Sequence, residues 1–274
     1  MKSSVTICLM PELKGAPFIF WNGLEDGMQK AEELGYDAVE LFPASAEAFD
    51  DKLVGSLLKK HKLELSTVGS GGGWALRKLS LTSPDAENRR KAEEFIKGII
   101  QKAAGLGAST ILGSMQGKWG DGVSRETALE WLGESLVRLG DYAQTQGKPL
   151  FYEPLNRYET NLLNKLVQTV AFLETCGAKN VRILADLFHM NIEETTIHGA
   201  IRDAGKWIGH VHFADSNRRP AGLGHMDYMP IVSALNEIGY TGYLSAEVFP
   251  YPDSLEAAQR TINSFRKYVL KKGD

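Results

Sequence analysis

The chain has 274 residues, 43% hydrophobic and 24% charged, an ordinary globular composition with enough apolar material for a large core. Its 31 basic residues against 34 acidic ones give a formal charge of −3 with no run of five like charges, so neither a nucleic-acid footprint nor a membrane-surface patch is expected. Cys8 and Cys176 are far apart and lack a CxxC partner, which argues against a disulfide framework or a thiolate metal site and leaves them as inert core or helix-end thiols.

The first apolar run, Val5–Met10, is interrupted by Pro11, Glu12 and Lys14, too soon for a signal peptide or a membrane span, so a cytoplasmic location is expected. From there β-rich runs alternate with helical patterns along the whole chain. The predicted strands are Val5–Leu9, Ala38–Phe42, Leu63–Val68, Thr110–Gly113, Leu150–Glu153, Val181–Asp186, Ile208–Phe213 and Tyr243–Val248. Between them, apolar residues at three- and four-residue spacing mark amphipathic helices, as in Leu129, Leu132, Leu136 and Leu139. Glycines close several of these helices, at Gly35, Gly107, Gly147 and Gly239, where a left-handed residue is needed to turn the chain into the next strand. Ser83 and Pro84 read as the cap and first residue of a helix over Ala86–Ala104. Eight such units predict an α/β fold, a (β/α)8 barrel in which residues 1–274 form a single domain, although the count alone would also suit an open doubly wound sheet.

The polar residues choose between the two. Each of the last four strands carries one ionisable side chain at or near its C-terminal end: Glu153, Asp186, His212 and Glu247. Taken singly, a strand-end acid reads as an ion-pair partner or as a cap for the next helix. Four in succession ask for a shared partner, because each buried charge costs several kcal/mol unless paired or metal-bound. In a closed barrel the four strand ends converge on one mouth, whereas in an open sheet they lie along a line. Three carboxylates and one imidazole form a mostly hard-oxygen donor set suited to one divalent ion, Mn²⁺ above all, with Mg²⁺, Co²⁺ or Zn²⁺ compatible. His210, two residues before His212 on the same face, is expected one layer deeper as a hydrogen-bonded residue behind the ligand.

At these residues the chain resembles the D-tagatose 3-epimerase family, which includes D-psicose and L-ribulose 3-epimerases, within the broader xylose-isomerase-like TIM barrels. The likeness is carried by Glu153-Pro154-Leu155-Asn156-Arg157-Tyr158-Glu159, by Asp186-Leu187-Phe188-His189-Met190-Asn191-Ile192-Glu193-Glu194, and by His210-Val211-His212 followed by Ser216-Asn217-Arg218-Arg219. The resemblance implies that Glu153, Asp186, His212 and Glu247 hold the metal, that Glu153 and Glu247 also move protons, and that Glu159, His189 and Arg218 hold a sugar near its carbonyl. It further implies a homodimer or homotetramer. Phe213-Ala214-Asp215 departs from the family pattern, which has a small residue, Gly and Glu there, and this bears on the substrate rather than on the chemistry.

That chemistry is proton transfer beside a carbonyl. A carboxylate cannot deprotonate such a carbon unaided, but a metal that polarises the carbonyl stabilises the enediolate, and epimerisation needs one acid/base group on each face of it. C3 epimerisation of a ketose or ketose phosphate is therefore expected, with Lys78 or Lys118 as candidates to meet a phosphate. Two alternatives stay open: a dehydratase of a keto-cyclitol or dehydroshikimate-like substrate, and a non-catalytic sugar-binding barrel. The glycine-rich stretches Gly69–Trp74 and Gln116–Gly120 read as flexible loops that could close over the mouth, each with a tryptophan to exclude water.

Overall fold

Eight strands form where the sequence predicts them, with no end shifted by more than three residues: β1 (Lys2–Cys8), β2 (Ala38–Phe42), β3 (Glu64–Gly69), β4 (Ser109–Leu112), β5 (Leu150–Tyr152), β6 (Val181–Asp186), β7 (Ile208–His212) and β8 (Tyr243–Ala246). The computed structural model describes residues 1–270. All strand pairs are parallel and follow chain order, and β1 closes onto β8 from Lys2↔Tyr243 to Val5↔Ala246. That closing ladder excludes the open sheet. Ten α-helices surround the barrel among the described residues: α1 (Leu24–Leu34), α2 (Asp51–Lys60), α3 (Gly72–Arg77), α4 (Ala86–Gly105), α5 (Arg125–Thr145), α6 (Leu166–Cys176), α7 (Leu187–Glu193), α8 (Ile197–Ala204), α9 (Tyr228–Glu237) and α10 (Ser254–Phe265). None is long and apolar enough to cross a membrane.

The helices bury the stripes their spacing foretells. Ile96, Ile99 and Ile100 of α4 and Leu132, Leu136 and Leu139 of α5 are almost wholly covered against the outer face of the sheet. All four glycines singled out at helix ends have positive φ, between 71° and 81°. The start of α4 differs in detail from expectation. Asp85, not Ser83, is the cap, its carboxylate accepting from the Glu87 amide at 2.9 Å, while Ser83 braces the Asp85 amide one step earlier at 3.2 Å. Aspartate competes well with serine for that position, and Pro84 therefore precedes the helix instead of opening it.

Inside the barrel the side chains are mostly polar on one level and apolar above it. Ser4 and Ser66 share a hydrogen bond at 2.8 Å, and Glu40 of β2 meets His210 of β7 across the lumen at 2.6 Å. Above them Cys8, Met10, Phe18, Phe42, Ile111, Phe151 and Leu184 form a second, smaller apolar cluster that leads up to the mouth. Burial pushes the Cys8 thiol up to about 11, in keeping with an inert core residue.

The glycine-rich stretch after β3 is not the flexible loop its composition suggests. It runs straight into α3, with Gly72 and Gly73 buried, and a Cβ at Gly72 would lie 2.7 Å from the Pro43 carbonyl oxygen and 2.9 Å from that of Ala44. The glycines are there because the β2 and β3 loops touch backbone to backbone. Gly72→Ala should therefore lower stability by about 1–3 kcal/mol, the range for overpacking, and the melting temperature by roughly 2–4 °C per kcal/mol for a chain of this size. A thermal melt of the variant that matched or exceeded the parent would mean the loop is as free as its composition implies.

Candidate metal centre at the barrel mouth

The four strand-end residues converge. Asp186 and His212 stand opposite each other in the β6–β7 register, with Glu153 one residue past β5 and Glu247 one past β8. His212 Nδ1 lies 3.1 Å from Asp186 Oδ2, 3.4 Å from Glu153 Oε1 and 3.6 Å from Glu247 Oε2, and one ligand atom from each of the four fits within 4.8 Å of every other. All four residues are buried.

Local structure aims each of them. Asp186 does both things open to a strand-end acid: Oδ1 caps α7, accepting from the Phe188 amide at 2.7 Å and the His189 amide at 3.1 Å, while Oδ2 faces the cluster. Glu153 takes the space a side chain at position 113 would need, for a Cβ on Gly113 would come within 2.6 Å of its Oε2. Gln116 pins the strand beneath by donating to the Gly113 and Glu153 carbonyl oxygens, both at 2.9 Å, and accepts from the Tyr152 hydroxyl. Glu247 receives Arg218 Nη2 at 2.6 Å, and the same guanidinium reaches Glu159 Oε1 at 3.3 Å and lies over the Phe188 ring.

His189 is not a helix cap, the structural role it could otherwise have had. Its Nδ1 accepts from the Asn156 backbone amide at 3.2 Å and from Asn156 Nδ2 at 2.7 Å. An amide can only donate, so in the neutral ring the proton sits on Nε2. That atom is buried without a hydrogen-bond partner, 3.8 Å from Glu153 Oε1 and 4.0 Å from Asp186 Oδ2. Burial lowers the His189 imidazole to about 4, which keeps it neutral.

The cluster opens into a cavity of about 200 Å³, whose polar lining includes Glu153, Glu159, Arg218 and Glu247. At about 30 Å³ per water this is room for roughly six waters, the scale of a monosaccharide. The remaining wall is largely apolar, with Met10, Leu13, Pro17 and Phe18 from the β1–α1 connection and Phe42 from β2. Sequence reasoning missed this wall. Its signal was Met10, Phe18, Phe20 and Trp21, large apolar residues crowded into a connection with no helical period. Neither Trp74 nor Trp119 lines the cavity, and Trp119 is tied to Asn161, its amide donating to Oδ1 at 2.9 Å and its indole to the carbonyl at 3.0 Å. Lys78 and Lys118 do not line it either.

The donor set fits a divalent ion by its own electrostatics. Glu153 Oε1 is buried with no hydrogen-bond partner, in the company of two more carboxylates. In the metal-free chain burial, reinforced by Glu247 and Asp186, outweighs the pull of His212 and raises Glu153 to about 7. Burial alone would lower His212, but Glu247, Glu40 and Asp186 overcome it and raise the imidazole well above its ordinary value. Both must lose a proton to bind an ion. Ion uptake should therefore release protons, and affinity should climb as pH rises through about 7 and fall below it. Calorimetric titration of stripped protein with Mn²⁺ in buffers of different ionisation heat measures this; an affinity flat from about pH 5 to 8 would contradict it.

The chain is similar to known proteins. The chain is 33% identical over 226 residues to a D-psicose 3-epimerase of Agrobacterium fabrum, covering 81% of this chain and 78% of that one. It is 29% identical over 231 residues to an L-ribulose 3-epimerase of a Methylomonas species, covering 83% and 79%. A crystal structure of a D-psicose 3-epimerase in the presence of D-fructose superposes with a TM-score of 0.82 at 25% identity, over 98% of this chain and 99% of the other. The family model described as Xylose isomerase-like TIM barrel matches residues 28–268, and the chain belongs to that family.

Proposed function

We propose that this chain, as a single barrel domain, is a metal-dependent ketose 3-epimerase, an isomerase that inverts the carbon next to a sugar carbonyl. The observation that carries the reading is the meeting of Glu153, Asp186, His212 and Glu247 at one point of the mouth, in a chain whose relatives epimerise ketoses at C3. Three oxygen donors and one nitrogen favour a hard divalent ion, and Mn²⁺ is the one we assign. When bound, the ion polarises the ketose carbonyl and brings the neighbouring C–H within reach of a carboxylate.

Glu153 and Glu247 reach the site from β5 and β8, with two strands between them around the ring, so one can take the C3 proton from one face while the other returns a proton to the opposite face. Their shared burial raises the proton affinity of both, which suits groups that must accept and give protons in turn. His189, neutral with Nε2–H aimed inward, donates to an oxygen that gains charge as the enediolate forms. Arg218 holds Glu247 and faces the same space, and Glu159 steadies Arg218 and Asn156 while offering an acceptor to a sugar hydroxyl. Among the described residues Arg218 is the one cation lining the cavity, and two carboxylates already share it. An uncharged ketose suits this pocket better than a ketose phosphate.

Incubation of Mn²⁺-loaded protein with D-fructose, D-psicose, D-tagatose, L-ribulose and their phosphates in deuterated water tests the reading. Deuterium at C3 with inversion, faster for the free sugars, is expected. Label at C1 or C2 would assign an aldose–ketose isomerase, loss of water a dehydratase, and sugar binding without exchange a non-catalytic barrel. Glu153→Gln and Glu247→Gln should each slow exchange by about 10²–10⁴-fold, the weight of one general acid or base. Full exchange in either variant removes that residue from the proton path.

A further inference from the structure

Glu40 is a fully buried carboxylate that the proton-transfer scheme leaves unused. It sits at mid-barrel on β2, with no exposure, on the level below the metal cluster. Its Oε2 receives His210 Nε2 at 2.6 Å and the Thr67 hydroxyl, while its Oε1 faces His212 Nε2 at 3.2 Å. Those last two atoms are buried, neither has a hydrogen-bond partner, and each is a polar atom the other can reach. An ionised carboxylate oxygen can only accept, so a proton placed between the two belongs on His212 Nε2. His212 thereby presents Nε2 to Glu40 and Nδ1 to the three acidic side chains, its two nitrogens serving opposite ends of the ring. His210 stacks on Phe151 at an interplanar angle of 6°, and this fixes the imidazole that holds Glu40 from the other side.

We propose that Glu40 is the positioning residue of the metal centre: its carboxylate keeps the His212 proton on Nε2, so that Nδ1 is the nitrogen offered to the ion, and locks the ring plane. His210 and Thr67 in turn keep the carboxylate from rotating away. The inference rests on the functional reading above, since it needs an ion at the four-residue cluster. It also gives the HxH spacing of β7 a division of labour, in which one imidazole meets the ion and its neighbour two residues back anchors the carboxylate behind it. The rival use of the same atoms is a second metal site, because Glu40, His210 and His212 could themselves surround an ion. The 2.6 Å contact between Glu40 and His210 is a hydrogen bond with no gap for one.

The test is Mn²⁺ titration of stripped wild-type protein and of Glu40→Gln and Glu40→Asp, with ions per chain counted and the melting temperature of each stripped protein recorded. One ion per wild-type chain is expected. Glu40→Gln should bind it about 10–100-fold more weakly, the usual effect of losing a partner behind a ligand, and Glu40→Asp should recover part of the loss. A weakening that exceeds any change in melting temperature separates positioning from mere stability. Wild-type affinity in a folded Glu40→Gln overturns the proposal while leaving the four-residue centre intact, and two ions per wild-type chain overturn it in favour of a second site. Wild-type protein that takes up no ion at all overturns the functional reading itself. Should Glu40→Gln not fold, long-range ¹H–¹⁵N spectra of the Zn²⁺-loaded wild type decide alone. Nε2 protonated and Nδ1 metal-bound is the expected pattern for His212, and the reverse pattern overturns the assignment.

Discussion

Three carboxylates buried side by side repel one another, and everything at the mouth of this barrel answers that repulsion. Two unit charges 4 Å apart at the dielectric of a partly wet site interact by about 4 kcal/mol, so Glu153, Asp186 and Glu247 cannot all stay ionised without positive charge among them. The metal-free chain supplies it in three ways. Glu153 holds its proton to about 7, His212 takes one up, and Arg218 leans onto Glu247 at 2.6 Å. A divalent ion replaces the first two at once. The crowding that raises Glu153 and His212 is thus the same feature that favours a divalent ion among these four side chains.

Holding such a cluster in place demands a rigid surround, and the closed barrel provides it from parts that have no chemistry of their own. Asp186 cannot swing away from the cluster without uncapping α7. Glu153 is walled by Gly113 and tied from below by Gln116, and His189 is oriented by Asn156 through two hydrogen bonds to one nitrogen. Asp215, where the family pattern has Glu, accepts from the amides of Ser216 at 2.7 Å, Gly222 at 2.7 Å and Met226 at 3.2 Å, and so ties down the loop that carries Arg218.

What could be read in the sequence was whatever repeats locally or sits at a strand end. The eight strands follow from β-rich runs, the helix ends from glycines, and the four-residue centre from one ionisable side chain near the end of each of four successive apolar runs. Glu40 shows where such reading stops. It lies in the middle of Ala38-Val39-Glu40-Leu41-Phe42, where an acid in a buried strand signals a partner, but that partner is 170 residues away on β7 and becomes a neighbour only once the barrel closes. The glycines after β3 misled for a related reason. Composition reports freedom of the unfolded chain, whereas the backbone of Pro43 and Ala44 pressing on Gly72 is a contact between distant segments. The contacts of Asn156 with His189 and of Gln116 with Tyr152 were invisible on the same ground.

The cavity divides its labour along its length, and that bears on selectivity. Charged and hydrogen-bonding groups crowd one end, at Glu153, Glu159, Arg218 and Glu247, while Met10, Leu13, Pro17, Phe18 and Phe42 form much of the rest. On the proposed function, a sugar held there would be recognised at its carbonyl and reacting carbon, where unpaired polar groups make a mismatch expensive. The apolar side chains of the remaining wall would discriminate weakly between hydroxyl configurations, since they offer few partners whose loss would count against the wrong isomer. The pocket therefore specifies the bond to be broken more tightly than the sugar that carries it. The β1–α1 connection, anchored in the barrel interior through Phe18 and Phe42 at 4.3 Å between ring centroids, is the element through which a tighter choice of sugar would have to be made.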